Sequence, residues 1–71
     1  MSEAFVYSWR NKADDRLYIG YHKGQPTDGY VASSKIFLKE YRQNPANFER
    51  FIIGEGTISD MRSLETKILQ S

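Results

Sequence analysis

The amino-acid sequence predicts a small α+β domain, a three-stranded antiparallel sheet flanked by helices in the order β-β-α-β-α. Three observations predict it. Short runs of aromatic and β-branched residues stand at 4–9, 17–21 and 48–53; apolar residues at helical spacing occupy 34–44 and 57–69; clusters of Gly, Pro, Asn and Asp separate them. The chain has 71 residues, room for one domain spanning 1–71 with a compact two-layer core at most.

AFVYSW, from Ala4 to Trp9, reads as the first strand, and the polar cluster RNKADD after it as a turn. Leu17 to Tyr21 then forms an antiparallel hairpin with it. Residues 24–34, GQPTDGYVASS, hold Gly24, Pro26 and the turn pair Asp28-Gly29, so they form a loop. Ser33 or Ser34 caps a first helix whose apolar residues are Ile36, Phe37, Leu38 and Tyr41, ending near Asn44-Pro45. Phe48 to Ile53 forms the third strand, closed by Gly54-Glu55-Gly56. Thr57 or Ser59 caps a second helix, Asp60 suits its positive end, and Met61, Leu64, Ile68 and Leu69 form a core-facing stripe. The chain stops inside that pattern at Ser71, so a C-terminal truncation is expected.

Composition excludes several classes. The chain has no cysteine, which leaves no disulfide frame and no thiolate zinc site, and the expected compartment is the reducing cytoplasm. No apolar run approaches the roughly 18 residues of a membrane span. The start MSEAFVYSW lacks the charge and apolar length of a signal peptide. A net charge of +1 does not announce a nucleic-acid binder, so the distribution of charge has to carry that reading.

Few side chains suggest chemistry by position. If the hairpin pairs about residues 12 and 13, Tyr7 and Tyr18 stand opposite each other on one sheet face and can converge on a site, or simply pack. Glu65 flanks the apolar stripe of the last helix; it can point toward the sheet as a ligand for a hard cation, or stay in solvent beside Arg62 or Lys67. His22 and Lys23 lie where the second strand runs out, suited to acid–base or phosphate contact, or to an ordinary loop. Lys35, Lys39 and Arg42 make one basic helix face, fit for a phosphate backbone or merely solvated. No P-loop, nucleophile elbow or zinc-finger spacing is present.

Taken together, FVYSW, RLYIGYHKG, DGYVASSK and MRSLETKIL resemble the catalytic domain of the GIY-YIG endonucleases, especially its phage-encoded homing-type members. Tyr18-Ile19-Gly20 matches the second motif literally, while Phe5-Val6-Tyr7 keeps only the tyrosine of the first. The resemblance covers nearly the whole chain and shares the β-β-α-β-α order. It implies a metal-dependent DNA endonuclease that hydrolyses a phosphodiester with one magnesium or manganese ion, acting on double-stranded DNA in a host cytoplasm. By it, Tyr7 aligns with the tyrosine proposed as general base, Tyr18 with the one that orients water or phosphate, and Glu65 with the metal ligand. The family's helix arginine has no direct counterpart: Arg42 falls late in the first helix and Lys35 at its start, so His22, Lys23 or Lys35 supplies the positive charge. Ser33, Ser34, Lys35, Lys39 and Arg42 are expected to face DNA, and the family's distal asparagine would lie beyond Ser71. The alternatives are a nucleic-acid-binding module of the same fold that has lost cleavage, or a purely structural domain.

Overall fold

In the computed structural model, residues 2–32 and 34–70 are described. The first strand, β1 (Ala4–Asn11), lies at the centre of an antiparallel sheet. On one side it pairs with β2 (Leu17–His22) and on the other with β3 (Phe48–Gly56), so both partners are edge strands. Helix α1 (Lys35–Gln43) precedes β3, with a 3-10 turn at Pro45–Asn47 between them, and α2 (Ile58–Gln70) ends the chain. The three-stranded α+β architecture and its order are those expected from the sequence.

Each sheet face has its own helix. Side chains alternate along a strand, so Phe5, Tyr7 and Trp9 point one way and meet Phe37 of α1 and Phe48. Ala4 and Val6 point the other way and meet Met61, Ile58, Leu64 and Ile68 of α2. That double coverage explains why β1 is buried continuously from Ala4 to Trp9 rather than in in–out alternation. The α1 face is an aromatic cluster: Phe37 lies 5.7 Å from the Trp9 ring, 4.7 Å from Tyr18 and 5.2 Å from Phe48. These are the tilted and edge-on contacts that aromatic quadrupoles favour.

The caps form as their residue types dictate. Ser34 Oγ accepts from the Phe37 amide at 3.2 Å, and Thr57 Oγ1 accepts from the Asp60 amide at 3.1 Å. The alternative cap Ser33 lies outside the described residues.

Two expectations are corrected. The hairpin register is two residues from the symmetric one: Tyr7 stands opposite Gly20, and Tyr18 opposite Trp9. The cause is the turn, which the Asn11 amide closes onto the Arg16 carbonyl at 2.9 Å, with Asp15 in the left-handed region at φ 62°. A two-residue shift preserves the alternation, so Tyr7 and Tyr18 still share a face. β3 does not stop at Ile53: after a bulge that leaves Ile53 as the extra residue it runs on through Gly54 and Glu55 and ends at Gly56. Gly54 serves packing: a Cβ there would stand 2.7 Å from Leu64 Cδ2, so the missing side chain lets α2 approach the sheet.

Candidate active site

Tyr7 sits on the central strand, where its phenol would ordinarily be walled in by the neighbouring strand. Its partner across the ladder, however, is Gly20. A Cβ added at Gly20 would collide with Cζ and the hydroxyl of Tyr7, so the ring lies across β2 in the space a side chain would have filled. The glycine of Tyr18-Ile19-Gly20 thereby gives a buried residue of the central strand access to the edge of the sheet.

A cleft of about 530 Å³ runs along that edge. Tyr7 of β1, Tyr18 and Gly20 of β2, and Glu65 of α2 all line it, with Ser34 and Phe37 from the α1 side. Ile19 and Tyr21, from the opposite face of β2, line it as well, so the cleft wraps around the edge strand and reaches both layers. Three residues singled out from the sequence, on three separate elements, therefore line one cleft, the two tyrosines from the α1 layer and Glu65 from the α2 layer.

Tyr18 is held by a partner that sequence reading missed. Its hydroxyl donates to Glu40 Oε2 at 2.7 Å, and Glu40 Oε1 lies 3.5 Å from Arg16 Nη2. Arg16 in turn pairs with Asp14 at 2.6 Å and stands over the Tyr18 ring at 5.9 Å. The hydrogen bond to Glu40, with burial as the second cause, holds the Tyr18 phenol above its ordinary pKa, while the Arg16 charge works against them. Tyr18 thus keeps its proton and commits it to Glu40. A phenol has one proton and can also accept, so toward the cleft this oxygen presents only acceptor capacity. The sequence did carry a signal for Glu40: it lies three residues beyond Phe37, on the side of α1 turned toward the sheet.

Glu65 is half-buried and lines the cleft without an ion pair to Arg62 or Lys67 among the described residues. No group of three or more His, Asp or Glu side chains converges among those residues. The cleft therefore offers a single carboxylate and no closed cage.

The other expected residues stand apart from the cleft. His22 ends β2, stacked on Tyr30 with ring centroids 3.5 Å apart and 7° between planes, and its Nε2 lies 3.2 Å from Asp28 Oδ2. The Asp28 carboxyl also accepts from the Tyr30 amide at 3.0 Å, and that backbone hydrogen bond is the main cause of its lowered pKa, ahead of the contribution from His22. His22 thus takes part in anchoring the 24–32 loop, and neither it nor Lys23 lines the cleft. Lys35, Lys39 and Arg42 are exposed on α1 and do not line it either, although Ser34, next to Lys35, does. Ser33 lies outside the described residues.

No helix among the described residues is long and apolar enough to cross a membrane. In comparison with known proteins, no family model matches the chain, and searches of curated proteins and of solved structures found no significant match.

Proposed function

We propose that this chain is the catalytic domain of a metal-dependent DNA endonuclease of the GIY-YIG type, cutting a phosphodiester of double-stranded DNA. The observation that supports the reading most is that Tyr7, Tyr18 and Glu65, from three elements, line one cleft around the edge strand. Packing alone does not require a buried tyrosine threaded over a glycine to an open edge.

In this reading Glu65 holds the divalent cation. One carboxylate fits magnesium or manganese, which commonly take one or two carboxylates and complete their shell with water and substrate phosphate. When bound, such a cation stabilises negative charge on the phosphoryl oxygens and lowers the pKa of a coordinated water. Tyr7 places its hydroxyl at the cleft wall, where it orients the attacking water and, once ionised to phenolate, would take its proton. A phenol with a pKa of about 10 needs nearby positive charge for that ionisation. Since no Lys, Arg or His among the described residues lines the cleft, that charge would have to come from a cation held by Glu65. Tyr18, its own proton fixed on Glu40, accepts a hydrogen bond from the same water and keeps it aligned. Its geometry suits water positioning better than donation to a phosphate.

Incubating supercoiled plasmid with the purified chain and magnesium or manganese, with EDTA as control, tests the reading. Conversion to nicked or linear DNA only with metal supports it. Intact plasmid in the presence of a folded chain that still binds duplex DNA would instead favour the non-cleaving binding module.

A further inference from the structure

A second surface borders the cleft. On α2, Arg62, Ser63, Thr66 and Lys67 line a shallow groove of about 360 Å³. They form two rows at i and i+4, Arg62 with Thr66 and Ser63 with Lys67, on the outward side of the helix from Met61 and Leu64. Thr66 Oγ1 donates back to the Arg62 carbonyl at 2.9 Å, which ties that hydroxyl to the helix. The Ser63 hydroxyl and the two cations remain for a ligand.

The arginines of the chain are divided by task. Arg10 pairs with Asp15 and Glu49, Arg16 with Asp14 and Glu40, and Arg50 donates to the carbonyls of Pro26 and Tyr30. Among the described residues neither Arg62 nor Lys67 has an ion-pair partner. Arg62 lies 5.7 Å over the ring of Tyr21, and Tyr21 lines the cleft. It also stands one helical turn before Glu65. The exposed cations of α1, by contrast, line neither the cleft nor this groove.

We infer that the Arg62–Lys67 groove seats the phosphate backbone of the DNA strand next to the cut, resting on the endonuclease reading above. Two unpaired cations with a hydroxyl between them suit an anion, and a polyanion more than a single one. Arg62 holds its guanidinium over the Tyr21 ring, 5.7 Å from its centroid, and offers a planar fork of donors, whereas Lys67 is a point charge on a flexible stem. Contacts of this kind set position and affinity without reading sequence.

The test is the salt dependence of binding, measured by fluorescence anisotropy with a labelled 20-base-pair duplex in EDTA so that no cleavage intervenes. Each lost phosphate contact should lower the slope of log K against log salt by about 0.9. The Arg62→Gln, Lys67→Gln double variant is expected to lower it by about 1.8, Arg62→Lys with Lys67→Arg to preserve it, and Lys12→Gln, which lines neither the groove nor the cleft, to leave it unchanged. Both side chains are exposed, and a thermal melt confirms that each variant is folded. A slope in the double Gln variant equal to wild type, or a fall per charge as large in Lys12→Gln, overturns the groove. A normal slope loss without any plasmid cleavage would retain the groove and reject the enzyme; cleavage with an unaltered slope would do the reverse. Absence of duplex binding by the wild-type chain overturns the groove outright.

Discussion

The ring of Tyr7 occupies the space a side chain on Gly20 would take. That one relationship connects a core strand to a surface cleft. It makes Gly20→Ala the most informative small substitution in the sheet. The added methyl cannot coexist with the Tyr7 ring in its present position, so either the ring or β2 must move. Overpacking of this sort costs about 1–3 kcal/mol. DNA cleavage is expected to fall further than the stability loss explains, because the Tyr7 hydroxyl is displaced. Chemical denaturation and nicking rates on the Gly20→Ala, Tyr7→Ala and double variants check it: with the ring gone, the methyl should cost much less. Simple additivity of the two changes would contradict the contact.

A second prediction concerns Tyr18 and Glu40. Raised above the ordinary phenol value near 10.0, the folded-state pKa implies that the protonated phenol is favoured by folding. The associated stability is fully present below about pH 10 and is lost as pH rises from there through the folded pKa. Glu40→Gln keeps an acceptor but removes the charge that holds the proton. Ultraviolet titration of tyrosinate should show one tyrosine titrating at lower pH in that variant, and alkaline unfolding should lose part of its pH dependence. An unchanged titration curve would show that Glu40 does not hold Tyr18.

The fold was readable from the sequence because each boundary has a local cause: Ser34 and Thr57 cap the helices they precede, Asp28-Gly29 breaks the chain, and the aromatic runs mark strands. The hairpin register was not, because it depends on Asp15 adopting a left-handed conformation. That conformation is more commonly met with Gly or Asn. That Tyr7 and Tyr18 share a sheet face follows from strand alternation; that Glu65 of the other layer lines the same cleft does not, because it depends on the cleft passing around β2. Nor does the grouping of His22 with Asp28 and Tyr30, because it comes from a loop folding back on a strand end.

That loop carries a third prediction. Asp28→Ala removes the acceptor of the Tyr30 amide and the partner of His22 together. Hydrogen exchange at the Tyr30 amide should accelerate, and exchange in β1 should stay as in wild type. Since the Asp28 pKa is lowered by folding, the loop should also loosen in acid: its contribution is present above the unfolded carboxylate value of 3.8 and is lost as pH falls through the folded pKa. Equal protection of Tyr30 at pH 7 in both proteins would show that Asp28 does not anchor the loop.

Glu65 and Tyr7 carry the proposed chemistry, and single-turnover plasmid nicking in magnesium measures the contribution of each. Glu65→Ala is expected to reduce the rate by about 100-fold or more, the equivalent of at least about 2.7 kcal/mol of lost charge stabilisation. Tyr7→Phe, which removes only a hydroxyl, should cost about 100-fold as well, with both variants melting cooperatively. Nicking by folded Glu65→Ala at the wild-type rate would contradict the proposed site directly.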